Sequence, residues 1–292
     1  MWDDFARVIA AVTSRWGPAR EVTIEANPTD CTPARLDAWR AAGIDRISIG
    51  VQSLAHEELV TLGRDHRHGD GLDAIARTVA AGFRTSADFI LGTPGGPGLT
   101  WIERVLATGV DHLSVYELTI EDRTAFGKRV ADGRLVPLDE ARLTELYLDA
   151  HAQLTAAGFE HYEISSYARL GKRAIHNSRY WTGAAYLGLG VGAASLQLVG
   201  GAGIRATNPR RWTDYARGAA REVSHVPATE MATDRLWLGM RTSDGVAEAD
   251  LGPLSEAFVT AGLAERRAGR ICPTLRGFLM ADTMAAQIVQ AR

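Results

Sequence analysis

Residues 45–64 read DRISIGVQSLAHEELVTLGR, the pattern of a short β-strand followed by the start of a helix. In the first half, Ile47, Ile49 and Val51 alternate with small or polar residues, the last of which is Gln52. Successive side chains of a strand point to opposite faces, so one face is apolar and the other is small and polar. Such a strand is predicted to pack on a core with its apolar face and to border a cavity with the other.

Three further segments repeat this pattern, and each is followed by a helix-like stretch: EVTIEANP (21–28), SADFILGTP (86–94) and HLSVYELT (112–119). A row of such βα units predicts an α/β fold with a parallel sheet. Polar residues stand at or near the ends of these strands, namely Glu25, Gln52, Asp88 and Thr119. Because βα barrels bind ligands at the carboxyl ends of their strands, these four side chains are predicted to face one cavity.

The composition describes a globular chain with little net charge. Its 292 residues are 46% hydrophobic and 23% charged, and 32 Lys and Arg against 35 Asp and Glu give a net charge of −3. This balance favours neither non-specific nucleic-acid binding nor attachment to anionic membranes. No run approaches eighteen apolar residues, and the first 17 residues have the pattern of an amphipathic helix rather than a signal peptide, so a cytoplasmic location without membrane insertion is predicted.

The two cysteines, Cys31 and Cys272, are far apart and form no CxxC or CxxxC pattern. No local thiolate cluster for zinc or iron–sulfur binding is therefore expected. The glycine-rich turn after residue 91 lacks the Lys of a GxxxxGK loop, and GLGVGAAS (188–195) lacks both a following helix and a suitably placed acidic residue. Nucleoside triphosphate and dinucleotide sites are thus not predicted.

The second half of the chain predicts a change of architecture. A helix over 138–158 and a strand over 159–168 precede a loop-like aromatic stretch that begins at residue 171. Residues 1–220 are predicted to form the barrel domain, and residues 221–292 a small winged-helix-like domain of helices with a short strand pair. Its basic residues form no stripe along one helix, so DNA binding is not expected.

Seven motifs in this order and spacing resemble the radical S-adenosylmethionine family of oxygen-independent coproporphyrinogen III oxidase and its heme-chaperone relatives of the HemW type: EVTIEANP, RISIGVQSL, LGRDH, ADFILGTPG, HLSVYELTIE, YEISSYA and HNSRYW. The HNxxYW motif is similar to the chaperone branch rather than the oxidase branch. The resemblance covers nearly the whole chain. It implies adenosylmethionine and a [4Fe–4S] cluster as cofactors, heme as a ligand, and client hemoproteins as partners of a monomer or dimer.

The resemblance also implies roles for single residues. The adenosylmethionine-binding positions of the family match Glu25, Gln52, Arg64 and Asp88, with Thr119 as a further member. Carboxylate and amide oxygens can accept hydrogen bonds from ribose hydroxyls or the ammonium group, and Arg64 can pair with the methionine carboxylate.

The heme-binding candidates implied by the same resemblance are His176, Asn177, Tyr180 and Trp181. Imidazole suits iron, so His176 is the expected axial or near-axial ligand, and the flanking aromatic rings can stack on a porphyrin. Packing within the loop is the other role open to each of these side chains.

The chain departs from the family in lacking the CxxxCxxC loop and the GGGTPS-like segment that open its relatives. We therefore expect a partial (β/α) barrel without its first two βα units, no iron–sulfur cluster and weak adenosylmethionine binding. A shortened chain and a cluster-free paralogue both account for this departure. Three functions remain open: a heme chaperone, an oxidase that decarboxylates coproporphyrinogen III, and a non-catalytic heme-binding or regulatory protein. Whether the chain is an enzyme stays open with them.

Overall fold

The computed structural model describes residues 2–64, 70–96 and 98–292. The chain divides into two compact units, Met1–Ile175 and His176–Arg292. The domain boundary predicted at residue 220 falls within the second unit, and the assignment of domains stays a prediction.

The first unit contains a six-stranded sheet with helices between its strands. Its strands are β1 (Thr23–Ala26), β2 (Arg46–Gln52), β3 (Arg84–Leu91), β4 (His112–Glu117), β5 (Glu160–His161) and β6 (Ser166–Ala168). Its helices are α1 (Trp2–Trp16), α2 (Pro33–Ala41), α3 (His56–Thr61), α4 (Asp70–Ala80), α5 (Ile102–Leu106), α6 (Ala125–Ala131) and α7 (Glu140–Ala156), with a 3-10 turn at Pro28–Asp30. The sheet order is β1-β2-β3-β4-β6-β5, and β1 to β4 are parallel. The predicted α/β fold with a parallel sheet is confirmed.

Strand β2 lies between β1 and β3 and shows how the alternating pattern builds this unit. Ile47, Ile49 and Val51 are completely buried in the main hydrophobic core, as their alternation predicts. Phe89 of β3 lies in the same core, stacked on Trp101 with the ring centroids 3.9 Å apart. Helices therefore cover one face of the sheet, and its small and polar side chains occupy the other.

Two local predictions were wrong. Residues 159–168 form the two short strands β5 and β6 rather than one, and β6 runs antiparallel to both β4 and β5. A turn separates them, in which the backbone N–H and the hydroxyl of Ser165 donate to the Glu163 carboxylate at 3.3 Å. The stretch predicted as a loop contains helix α8 (Ile175–Trp181). Asn177 and Ser178 have low helix propensity, and Gly171 and Gly183 flank the segment, so local propensity alone does not predict a helix there.

The second unit continues with β7 (Ala194–Val199), β8 (Ala202–Thr207), α9 (Trp212–Ala216) and β9 (Glu222–Val226), whose strands form an antiparallel sheet in the order β7-β8-β9. The rest comprises α10 (Ala228–Gly239), β10 (Val246–Ala247), α11 (Glu248–Leu251), α12 (Leu254–Thr260), β11 (Ala264–Arg267), β12 (Arg270–Pro273), α13 (Leu275–Leu279) and α14 (Ala281–Gln290). Strands β10, β12 and β11 form a small sheet, and a separate core that includes Met240, Phe258 and Met284 holds the helices on it. Among the described residues, no helix is long and apolar enough to cross a membrane.

Candidate functional site

Small and polar side chains line the inner face of the first sheet in two rows set by the strand register. The lower row is Glu25, Ser48, Ser86 and His112. The upper row is Gly50, Asp88, Ser114 and Ser166. Residues paired across neighbouring strands point to the same face, so the two rows form one polar wall. The wall brings together Glu25 and Asp88, two of the predicted site residues.

Asp88 is the central carboxylate of this wall. The Ser48 hydroxyl donates to its two oxygens at 3.1 and 3.4 Å, and a second hydrogen bond comes from Ser114. Burial raises the pKa of Asp88, the hydrogen bonds from Ser114 and Ser48 and the charge of Arg46 oppose this rise, and the negative charge of Glu25 adds to it. A buried carboxylate with a raised pKa beside a second carboxylate is typical of a site that binds a hydroxyl or a cation.

Gln52 ends β2 in a conformation that non-glycine residues rarely adopt, with φ at +65°. The pairing of β2 with β3 shifts register between Gly50 and Gln52. Such a bulge re-aims the side chain at the end of a strand. Gly50 pairs with Asp88 across the β2–β3 ladder, and its missing side chain leaves space there. The Gln52 amide occupies this space, since a Cβ atom built on Gly50 would lie only 2.9 Å from the amide nitrogen. Backbone strain of this kind concentrates at binding sites.

Arg46 and His112 lie at the lower end of the wall and are 4% and 1% exposed. The His112 ring binds the Ser86 hydroxyl through Nδ1 and the Tyr162 hydroxyl through Nε2, both at 2.7 Å. Burial and the charges of Arg46 and Arg84 hold the pKa of His112 well below its usual value. The ring is therefore neutral, and Arg46, which forms no ion pair within the described ranges, is a fixed positive charge below Asp88.

Two residues that the sequence reasoning missed lie near the same carboxylates. Glu163 is 4% exposed in the turn between β5 and β6. The pKa of Tyr116 is raised by burial and then by the charges of Asp88, Glu163 and Glu25, despite a hydrogen bond from Ser114. Alternation along HLSVYELT could have identified Ser114 and Tyr116, which share a face with His112. No local sequence pattern identifies Glu163, because the pattern of residues 159–168 predicts a continuous strand through the turn that orients this side chain.

The other two predicted adenosylmethionine residues do not belong to the paired rows of the wall. Arg64 follows helix α3 and is exposed, and its backbone N–H donates to the Leu59 carbonyl. Thr119 lies two residues beyond β4 and is also exposed. Within the described part of the chain, neither side chain bonds to Glu25, Gln52 or Asp88.

Helix α8 carries all four heme-binding candidates: His176, Asn177, Tyr180 and Trp181. His176 and Tyr180 are one turn apart, and the Tyr180 hydroxyl lies 3.0 Å from Nε2 of His176. The Tyr180 ring also meets the Tyr186 ring edge to face, with centroids 4.7 Å apart. His176, Asn177 and Tyr180 are exposed, and Trp181 is half-buried. The motif therefore presents an imidazole and a phenol on one exposed helical turn.

The two thiols do not fit an iron–sulfur cluster. Cys31 lies in the first unit and Cys272 in the second, and both are buried. Their sulfur atoms face backbone carbonyl oxygens, of Asn27 at 3.7 Å and of Asp244 at 3.5 Å. In the part of the chain that the structure describes, no group of three or more His, Cys, Asp or Glu side chains is placed to hold a metal ion. A cluster needs several convergent thiolates, so no reaction step at a cluster follows from these residues.

Comparison with known proteins identifies relatives of this chain. A family model described as the radical SAM superfamily matches residues 1–108. The heme chaperone HemW of Mycobacterium tuberculosis (strain H37Rv) is 33% identical over 287 residues, 93% of this chain and 72% of that protein. The mitochondrial radical S-adenosyl methionine domain-containing protein 1 of Bos taurus is 37% identical over 242 residues, 77% of this chain and 54% of that protein. The chain thus spans about half the length of the bovine relative.

Among solved structures, the coproporphyrinogen III oxidase HemN of Escherichia coli, described as a radical SAM enzyme, has a TM-score of 0.75. The match covers 99% of this chain and 74% of that chain at 18% identity. At this identity the likeness shows the fold alone.

Proposed function

This chain belongs to the radical SAM superfamily and is related to its HemW-type heme chaperones. From this membership we propose that it binds heme and delivers it to client hemoproteins. The observation that carries the proposal is the exposed turn of α8, in which His176 and Tyr180 lie 3.0 Å apart, in a chain that is 33% identical over 93% of its length to a heme chaperone. Imidazole and phenolate are both known protein ligands of heme iron. An exposed ligand suits a carrier, because the heme must also leave.

We propose that the polar wall of the first unit holds adenosylmethionine. Glu25 and Asp88 offer acceptors for ribose hydroxyls or the ammonium group, and Gln52 offers an amide beside them. Arg64 and Thr119 would complete the site by approaching the methionine carboxylate and the rim. In this superfamily adenosylmethionine supplies radical chemistry when it is bound beside a cluster. The residues of this chain bind and orient it, with Ser48 and Ser114 holding the Asp88 carboxylate in place.

Heme binding is tested by titrating the purified chain with hemin and following the Soret band. The His176→Ala variant is compared with His56→Ala, which removes an exposed histidine of the first unit. We expect the His176 variant to bind hemin at least tenfold more weakly or with a shifted Soret band, and His56→Ala to match the unaltered protein. Failure of the unaltered chain to bind hemin would refute the proposal.

Delivery is tested by mixing the hemin-loaded chain with an apo-hemoprotein in excess. We expect the Soret band of the acceptor to grow faster than from free hemin at the same concentration, because a carrier keeps heme monomeric. Consumption of coproporphyrinogen III without heme transfer would instead support the oxidase.

A further inference from the structure

The turn between β5 and β6 holds Glu163, a buried carboxylate that the proposed adenosylmethionine site does not include. The backbone N–H of Val115 in β4 donates to the Ser165 carbonyl at 2.8 Å, and Ser166 pairs with Ser114. Because β6 runs antiparallel to β4, the residues that precede Ser166 lie beside the carboxyl end of β4. The turn therefore stands at the end of the sheet where βα barrels bind their ligands.

Side chains of α7 and β5 hold the backbone of this turn. The Tyr147 hydroxyl donates to the Ile164 carbonyl at 2.9 Å, and Nε2 of His161 lies 3.2 Å from the same oxygen. A carbonyl oxygen only accepts, so this contact assigns the His161 proton to Nε2, and Nδ1 accepts from His151 at 3.0 Å. The turn thus presents Glu163 from a backbone that these bonds fix in place.

The printed hydrogen bonds to the Glu163 carboxylate orient it without balancing its charge. Both come from Ser165, whose backbone N–H and hydroxyl donate at 3.3 Å. These donors are neutral, so the negative charge of the carboxylate extends beyond the turn. It adds to the effect of burial in raising the pKa of Tyr162 to about 12, against the charge of Arg46.

Three carboxylates act on one phenol at this end of the sheet. Burial raises the pKa of Tyr116, and the charges of Asp88, Glu163 and Glu25 raise it further, whereas Arg46 supplies a positive charge toward Asp88. Buried negative charge without an equal positive charge is costly, and a cationic ligand offsets this cost. Within the described ranges no such group is placed to hold a metal ion, so the three carboxylates suit a larger organic cation.

We propose that Glu163 is a specificity-determining residue of the adenosylmethionine site, which favours the positively charged sulfonium of this ligand over a neutral thioether. This inference rests on the proposed binding of adenosylmethionine by the polar wall. A sulfonium has no hydrogen to donate, so it is recognised by the Coulomb attraction of nearby carboxylates, which is stronger in a buried site than in water. Glu25 and Asp88 serve the ribose hydroxyls or the ammonium group, and Glu163 serves the remaining positive charge.

The test is calorimetric titration of the full chain with adenosylmethionine, with S-adenosylhomocysteine, its neutral thioether, and with sinefungin, in which an ammonium group replaces the methylsulfonium. The unaltered chain should bind the two cationic probes about tenfold more tightly than the thioether. Glu163→Gln keeps an oxygen for the Ser165 donors but removes the charge, so it should lose most of this preference and leave the thioether unchanged. Glu117→Gln is the matched control, because Glu117 also ends β4 but lies on the face opposite to Tyr116.

A variant that retains the charge covers the case in which Glu163→Gln does not fold. Glu163→Asp withdraws the carboxylate by one methylene and should reduce the preference in part. A preference that Glu163→Asp leaves unchanged would then overturn the inference.

The outcomes separate this inference from the proposed function. If the unaltered chain binds adenosylmethionine and the thioether equally well, the inference is wrong and the adenosylmethionine site stands. If it binds no probe, both are wrong. Tight binding of adenosylmethionine without sinefungin would assign the preference to contacts of the methyl group, and a preference that Glu163→Gln retains would assign it to other residues. An equal loss for all three probes in Glu163→Gln would show that Glu163 only shapes the turn; each of these three results overturns the inference.

Discussion

Replacing Asp88 with Asn should separate the ligand-binding role of this carboxylate from its cost to the fold. Burial raises the pKa of Asp88, so the native state holds this proton more tightly than the unfolded chain does. For a raised carboxyl pKa, the contribution to stability is most favourable below the unfolded value of about 3.9 and declines as the pH rises through the folded pKa. At pH 7, above the unfolded value, the raised pKa therefore lowers the stability of the fold relative to acid pH, and Asn, which does not titrate, removes this penalty.

The hydrogen bonds around Asp88 set the size of the effect. In the Asp88→Asn variant one side-chain oxygen remains to accept the hydrogen bond from the Ser48 hydroxyl, which is 3.1 Å long in the unaltered chain. The Asn amide can donate to the Ser114 hydroxyl, which is able to accept as well as donate. We expect the free energy of unfolding of Asp88→Asn at pH 7 to equal or exceed that of the unaltered chain. Asp88→Ala leaves both serine hydroxyls without this partner and should cost about 1–3 kcal/mol. Loss of a charged hydrogen bond to the ligand, about 1.5–3 kcal/mol, should weaken adenosylmethionine roughly 10–100-fold in both variants.

Urea unfolding at pH 7 and calorimetric titration with adenosylmethionine measure the two quantities. Ser195→Ala, in the second unit, serves as the control for a lost polar contact far from the site in sequence. An Asp88→Asn protein that unfolds at lower urea and binds the ligand as tightly as the unaltered chain would show that Asp88 is a structural carboxylate. No binding by the unaltered chain would refute the ligand role directly.

Three further predictions concern the surroundings of the site. Gln52→Gly relieves the positive φ of this residue and should leave stability unchanged or raise it by up to about 1 kcal/mol, while weakening adenosylmethionine; a clear loss of stability in urea would contradict the strain argument. Gly96→Ala places a methyl group onto the Glu58 carboxylate and should cost about 1–3 kcal/mol, part of which Glu58→Asp recovers in the double variant; additive losses would show that the two residues do not meet. His112 and His161 are neutral in the native state, because burial lowers the pKa of His161 to about 4 and that of His112 well below its usual value. The contribution of these two histidines to stability is therefore complete above pH 6.5 and should fall as the pH drops, by about 1.4 kcal/mol per pH unit for each histidine down to its folded pKa. In the Asp88→Asn protein, which lacks the opposing titration of Asp88, a urea midpoint that stays constant from about pH 7.5 to 5 would refute this.

Local patterns were sufficient for the strands of the parallel sheet and for the direction of their side chains. The period of two in DRISIGVQ is a property of consecutive residues, and it correctly assigned Ile47, Ile49 and Val51 to the core. The same period placed Glu25 and Asp88 on the polar face, where the structure brings their charges close enough to interact. The order of the motifs was likewise enough to identify the radical SAM superfamily.

Contacts between distant segments required the tertiary structure. The bond from Ser48 to Asp88 joins two strands 40 residues apart, and its existence depends on the register that core packing imposes. The turn that buries Glu163 depends on how β6 pairs with β4, which no local pattern records. Helix α8 forms despite weak local propensity.

By itself, the sequence determined the four strands of the parallel sheet, which of their side chains are polar, and which superfamily the chain belongs to. Only the tertiary structure placed the Ser48 hydroxyl against Asp88 and buried Glu163 in the turn before β6. The physical reason is that alternation is encoded residue by residue, whereas cross-strand neighbours follow from one register chosen among several. That register is selected by burial of the opposite face of the sheet, where Ile47 and Ile49 of β2 lie in the core.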